Sequence, residues 1–279
     1  VRLHLCGTRG STPAPGADYV RYGGHTSCVA VAHDGEVPTL ILDAGTGLRE
    51  VTPLLAGRPF DGAILLSHLH WDHVHGLPFF RGGDMPGARA ALLMPEPEDG
   101  ASAEAALERG MSPPHFPIRP RDLRGDWTFG SLAAGRHTAA GFTVDARQVP
   151  HKGGRTFGYR ISDGSSVLAY IPDHCPTSLG PGPDGWGAYH PAAIELCAGA
   201  DVMIHDAALL PEELTTQAGY GHAAADYVVG LAKAAGARRA VLFHHQPDRT
   251  DRELDALGRR LADAPVPVSI AAQDGILSL

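Results

Sequence analysis

Residues 67–73 read Ser-His-Leu-His-Trp-Asp-His, three histidines and one aspartate within six positions, directly after the apolar run Ala63-Ile64-Leu65-Leu66. A run of that kind reads as a buried strand, so the cluster stands where a strand gives way to a loop. Imidazole and carboxylate are the usual ligands of zinc and similar divalent ions, and such a cluster is costly to keep unless something binds it. One ion cannot easily use all four groups. His68 and His70 point the same way from an extended segment, whereas Asp72 and His73 come after the turn and face elsewhere. The spacing therefore suggests two adjacent metal sites, one fed by His68 and His70, the other by Asp72 and His73. The spacers Leu69 and Trp71 are expected to pack the loop against the core.

The rest of the chain has to build a scaffold around that loop. With 279 residues, 43% of them hydrophobic and 19% charged, it can bury a substantial core. No apolar run approaches the roughly 20 residues that span a bilayer, so no membrane association is expected. Cys6, Cys28, Cys175 and Cys197 lie far apart without a CxxC pair, which reads as buried thiols of a cytoplasmic protein. The first residues alternate like a strand and lack the apolar core of a signal peptide. A net charge of −8 gives no general attraction to nucleic acid. Arg119, Arg121, Arg124 and the Lys152/Arg155 pair are the candidates for a local basic patch, and solvated surface groups are the favoured reading of them.

Strand patterns occur over 1–6, 26–33, 38–43, 62–67, 88–94, 142–149, 156–161, 166–171, 201–205, 239–243 and 267–272. Helical patterns occur over 46–56, 101–110, 191–198, 222–235 and 250–263. This order fits two mixed half-sheets with helices outside better than a pure βαβ succession. One domain spanning 1–279 is expected, with a cap-like insertion near 81–140. Three further strands end in a metal-capable group: His151 follows 142–149, Asp173 follows 166–171, and His244 and His245 follow 239–243. Strand ends gathered at one sheet edge are a common place for an active site, because the scaffold is rigid and the loops vary.

His68, His70, Asp72 and His73 match the HxHxDH signature, and His151, Asp173 and a strand-ending histidine follow in order. In this the chain resembles the metallo-β-lactamase superfamily. The upstream Leu40-Ile41-Leu42-Asp43-Ala44-Gly45-Thr46-Gly47 resembles that family's first motif, in which the aspartate braces the metal loop. The resemblance implies an α/β fold of the αββα sandwich type, with two divalent ions in the cleft between the sheets. His68, His70 and His151 would hold the first ion, Asp72, His73 and His244 the second, and Asp173 would bridge them. Counting along the strand favours His244 over His245, and the other register stays open.

Within the superfamily, Gly7-Thr8-Arg9-Gly10-Ser11 and His73-Val74-His75-Gly76-Leu77-Pro78 resemble the phosphodiesterase branch, which includes ribonuclease Z and the cyclic-phosphate phosphodiesterase of phosphonate breakdown. His205-Asp206-Ala207-Ala208 resembles the branch's His-Glu-Ala-Thr segment, and Gly221-His222-Ala223 its His-Ser-Thr segment with the hydroxyls replaced. The resemblance implies that Asp206 orients His222 to protonate a leaving group; the alternative is that His222 merely opens a helix. Asp72 counts twice, as a ligand and as a catalytic residue beside His222 and Asp206. One departure bears on substrate: His151 and Asp173 stand 22 positions apart, too close for the arm with which ribonuclease Z grips transfer RNA.

The expected activity is hydrolysis of a small or cyclic phosphodiester through a metal-bridging hydroxide, because two close cations lower the pKa of a shared water and clamp the phosphate oxygens. Zinc is expected, with manganese or iron compatible with the same ligands. An acyl hydrolase of lactonase, β-lactamase or thioesterase type is the rival from the same centre, and a metal-binding accessory protein without activity is the rival from outside catalysis. The expected partners are a small phosphodiester or ester substrate and, in a homodimer, a second copy of the chain; transfer RNA is not expected.

Overall fold

A computed structural model describes all residues, Val1–Leu279. Its strands form two seven-stranded sheets. The first contains β1 (Arg2–Gly7), β2 (Cys28–Ala32), β3 (Leu40–Leu42), β4 (Asp61–Leu65), β5 (Arg89–Pro95) and β6 (Asp126–Leu132), and the chain's last strand, β14 (Ile276–Ser278), pairs with β1 at its edge. The second runs from β7 (Gly135–Ala139) through β8 (Phe142–Gln148), β9 (Phe157–Ser162), β10 (Val167–Ile171), β11 (Val202–Asp206) and β12 (Ala240–Phe243) to β13 (Val268–Ile270). Each sheet is antiparallel on one side and parallel on the other: β3 to β6 run parallel in the first, β10 to β13 in the second.

Most strands are apolar without interruption because both of their faces are covered. Leu40 and Leu42 of β3 face the second sheet, together with Val144, Tyr159, Ile204 and Phe243 from across the sandwich. Ile41, one residue out of phase, packs instead with Leu48, Val51 and Leu107 on the outer side. On the far side Ala169, Met203 and Leu242 pack against the helices Pro191–Cys197, Ala225–Ala235 and Asp251–Arg260. The period of two thus feeds three apolar layers, with helices outside both sheets, which is the αββα sandwich. Each fully buried Leu, Val or Phe contributes about 1.5–3 kcal/mol.

Three strands escape the sequence patterns. β6, β7 and β14 are half-exposed sheet edges: β7 is largely polar, β14 is only three residues long, and β6 shows its apolar alternation in Trp127 and Phe129 alone. The stretch expected as a cap near 81–140 contributes β5, β6 and β7 to the sheets, leaving 81–88 and 96–125 as its longer segments outside them. The helix expected over 46–56 is shorter and begins with a tight 3₁₀ segment, Thr46–Glu50, before Val51–Leu54.

Strand direction positions the site. β3 and β4 run parallel, as do β10, β11 and β12. β8 is antiparallel to β9, and β9 to β10, so β8 runs with β10. Asp43, the 67–73 loop, His151, Asp173 and His244 thus follow, and Asp206 ends, strands that run alike within their own sheet.

Candidate metal centre

The 67–73 loop is pinned from below by Asp43, a buried carboxylate in left-handed backbone (φ 59°). Its Oδ1 accepts the Ser67 N–H at 2.7 Å, and its Oδ2 accepts the hydroxyls of Ser67 at 3.0 Å and Tyr170 at 2.8 Å. The same Oδ2 lies 2.9 Å from His73 Nδ1, which fixes the proton there and leaves Nε2 as the free ring atom. His151 is set in the same manner, with Nδ1–H donating to the Gly221 carbonyl at 2.7 Å. The Ser11 backbone N–H holds Asp72 Oδ2 at 2.7 Å. Two glycines permit this packing: a Cβ on Gly45 would stand 2.1 Å from the Asp72 carbonyl, and one on Gly10 would stand 2.2 Å from the His244 ring.

The free atoms converge. His68, His70, His151 and Asp173 bring their donor atoms within 4.8 Å of one another, and so do Asp72, His73 and His244. Asp173 reaches both groups, with Oδ2 3.2 Å from His151 Nε2 and Oδ1 3.0 Å from His73 Nε2 and 3.2 Å from His244 Nε2. Asp72 Oδ2 lies 3.0 Å from His244 Nε2 and 3.2 Å from His73 Nε2. His68 Nε2, His73 Nε2 and Asp173 Oδ1 are nevertheless buried without a hydrogen-bond partner. Burying such atoms unpaired costs about 1–3 kcal/mol each, and lone pairs that approach one another without a shared proton are what a cation would satisfy. Nitrogen and carboxylate donors in this number suit zinc, manganese or iron(II). The residues fit divalent metal.

The site's own charges divide its rings. Burial disfavours charge on His73, but Asp72, Asp173 and Asp43 outweigh it and raise His73 well above the ordinary histidine value, a positive charge that a bound cation would replace. Burial and the neighbouring His73 push His68 well below the ordinary histidine value, so its ring is neutral as a ligand must be. Burial opposes ionisation of Asp173, but His244, His73, His68 and His151 hold it well below the usual carboxylate range. Asp72 is likewise held low against burial by His73 and His244.

The backbone sends the rings of His244 and His245 in different directions. Val241 and Phe243 of β12 face the sandwich interior, so unbroken alternation would send residue 245 inward. His244 instead adopts φ 60°, which breaks the alternation and turns its own ring toward Asp72 and Asp173. His245 faces away, donating from Nε2 to the Ala271 carbonyl at 2.8 Å, and burial lowers its pKa to about 3.

His222 lies outside the helix Ala225–Ala235, in the loop before it. Its Nδ1 is 3.0 Å from Asp206 Oδ2 and 3.8 Å from Asp173 Oδ2. Burial disfavours its charge, but Asp206 outweighs burial and raises the pKa to about 9. Asp206 is fully buried and accepts the backbone N–H groups of His174, Ala208 and Ala223 at 3.0, 3.0 and 3.2 Å. Behind it, His205 Nδ1–H donates to the Asp206 carbonyl at 2.7 Å, and His174 Nδ1 lies 3.1 Å from His205 Nε2. Burial lowers the pKa of both rings.

The sequence patterns leave out Tyr170, His174 and His205 as supports of the site. Tyr170 sits in an apolar run and reads as core; only its contact with Asp43 reveals the role. His174 follows Asp173 directly, and that adjacency is the one signal that could have marked it. Trp71 departs from expectation: its side chain is 70% exposed and does not pack into the core. The cleft of about 590 Å³ in front of the centre is lined by Gly10, Trp71, His151, Tyr220, His222 and Gln246, among others.

A sandwich with two converging His/Asp sets at the strand ends defines a metal-dependent hydrolase. The chain belongs to the β-lactamase superfamily: the family model described as the Beta-lactamase superfamily domain matches residues 39–245. Over 247 residues it is 26% identical to a ribonuclease Z of Limosilactobacillus fermentum, covering 72% of this chain and 74% of that protein. Among solved structures it is similar to the metallo-β-lactamase fold protein YhfI of Bacillus subtilis, with TM-score 0.73, 18% identity and 99% of both chains covered. It is also similar to a diphosphatase of the PhnP family, with TM-score 0.70 and 19% identity, covering 100% of this chain and 97% of that one. No helix is long and apolar enough to cross a membrane.

Proposed function

We propose that this chain is a dinuclear metal-dependent phosphodiesterase acting on a small or cyclic phosphodiester, with zinc as the expected ion. The observation that carries the reading is the Asp206–His222 pair beside two converging ligand sets. In this reading His68, His70 and His151 would hold one ion and Asp72, His73 and His244 the other, with Asp173 within reach of both sets. Bound there, the ions supply an activated water and neutralise the charge that develops on the phosphate oxygens.

The remaining steps belong to the chain's own groups. Asp206 keeps the proton on His222 Nδ1, so Nε2 is the atom that faces the cleft. From Nε2, His222 gives a proton to the leaving oxygen as the P–O bond breaks, and Asp206 stays ionised throughout. Acyl hydrolysis needs such a donor less, which sets this reading above a lactonase, β-lactamase or thioesterase. A small substrate is favoured over transfer RNA on three grounds. Only the hairpin β9–β10 separates His151 from Asp173. Arg119 and Arg155 face Glu108 and Glu96 at 2.8 and 3.5 Å. The chain carries a net charge of −8.

A screen of bis(p-nitrophenyl) phosphate beside a lactone, nitrocefin and a transfer RNA precursor tests the proposal. Turnover of the phosphodiester alone is expected. Turnover only of an acyl substrate would overturn the reading, and efficient cleavage of the precursor would overturn the preference for a small one.

A further inference from the structure

Trp71 stands inside the metal loop yet leaves its ring in solvent. It is the first residue of the short helix Trp71–Val74. One side of the ring is supported by His75, stacked at 5.5 Å between centroids and 20° between planes. A singly exposed apolar side chain is ordinary on a protein surface. The position of this one is informative, because Leu69 and Trp71 line both the catalytic cleft and a second groove of about 1220 Å³. The two residues form the wall between these spaces. Beyond them the groove continues past Phe79, which is 56% exposed and meets Phe116 edge to face at 6.0 Å. Arg49 and Arg81 add hydrogen-bond donors, and Glu50 and Asp84 add acceptors.

We infer that Trp71 and the groove behind it form the subsite for the retained substituent of the substrate, a flat aromatic group of nucleobase size. The inference rests on the phosphodiesterase reading above. In an in-line displacement the leaving oxygen faces its proton donor, here His222, on a loop following the second sheet's β11. The attacking water lies opposite that oxygen, so the substituent that stays on phosphorus stands to the side of the axis. Trp71, which follows β4 of the first sheet, offers that substituent an aromatic face on the wall between cleft and groove. A rigid ring braced by His75 offers a stacking face without cost in side-chain freedom, and every nucleobase has a π-face to meet it. The mixed donors and acceptors of the groove suit the polar edge of such a base.

Two substrates with the same leaving group test this. Thymidine 5′-(p-nitrophenyl phosphate) retains a nucleoside, and methyl p-nitrophenyl phosphate retains a methyl group. Trp71→Ala is expected to raise KM for the nucleoside substrate by about tenfold or more, the size of one base stacked on one aromatic ring, and to leave the methyl substrate within about twofold. Trp71→Phe should recover most of the loss, and Phe79→Ala should move KM in the same direction by less. Equal changes for both substrates, or none for either, would overturn the subsite. If the unaltered protein turns over neither diester, the phosphodiesterase reading fails by itself. Calorimetric binding of thymidine 5′-monophosphate then decides the subsite separately: binding lost in Trp71→Ala upholds it, and absent or unaltered binding overturns it.

Discussion

Replacing Asp206 separates its structural work from its proposed catalytic work. Its carboxylate is fully buried and accepts three backbone N–H groups besides His222. Asp206→Ala orphans those donors, each worth about 1–3 kcal/mol when left unpaired. Water entering the vacated space recovers part, so a loss of about 3–5 kcal/mol in urea unfolding is expected, the usual cost of breaking a buried charged network. Asp206→Asn keeps the volume and one acceptor oxygen but points an NH₂ group at donors, and a smaller loss of about 1–3 kcal/mol follows. The asparagine variant is therefore the one for kinetics. Without the carboxylate, His222 loses the group that outweighs burial in raising its pKa, and proton donation from Nε2 weakens. For a phosphodiester with an alkoxide leaving group kcat should fall by about 10²–10⁴-fold, the usual worth of a general acid. For bis(p-nitrophenyl) phosphate, whose leaving group needs little protonation, the fall should stay within about tenfold. Metal content, measured by plasma mass spectrometry, should be unchanged. Equal losses for both leaving groups in a folded, metal-replete variant would refute the acid role of His222 and leave Asp206 as a purely structural residue.

Other consequences follow from the same geometry. His68→Ala/His70→Ala should lose metal and phosphodiesterase activity together; full activity with undiminished metal would reject the ligand assignment. His244→Ala should lower the metal content by about one ion per chain, whereas His245→Ala should keep both ions and cost about 1–3 kcal/mol of stability through its hydrogen bond to Ala271. Gly10→Ala places a Cβ 2.2 Å from the His244 ring, so activity should fall more than stability, read as kcat against the urea midpoint. Burial pushes the Cys197 thiol up to about 12 from its usual 9.0. Because the native state keeps the proton, its contribution is complete below pH 9 and fades as pH rises toward 12, by about 4 kcal/mol in all. Cys197→Ala should remove that slope from a stability–pH curve, and the native thiol should resist iodoacetamide at pH 8.5.

How much was legible in the sequence differs from residue to residue. His68, His70, Asp72 and His73 are contiguous, and their order after an apolar run carries its own meaning. His151, Asp173 and His222 are far apart and gain meaning only as a series of strand ends and loop starts. Edge strands β6, β7 and β14 stayed hidden because half-wetted edges carry short signals: two alternating aromatics in β6, a largely polar run in β7 and three residues in β14.

From the sequence itself came the two-part pattern of the 67–73 cluster and the series of strand-end groups, since local spacing and strand periodicity are properties of neighbouring residues. The sandwich class and the pairing of Asp206 with His222 came from the resemblance to the metallo-β-lactamase superfamily. Tertiary structure alone decided three things. The left-handed backbone at His244 turned that ring, rather than the ring of His245, toward Asp72 and Asp173. Tyr170 was drawn into the support of Asp43 across 127 positions of chain. Trp71 was left exposed on the wall between cleft and groove, where the loop's spacing had suggested only packing. Each depends on where a backbone turns or on what arrives from a distant strand, and a one-dimensional pattern does not carry that information.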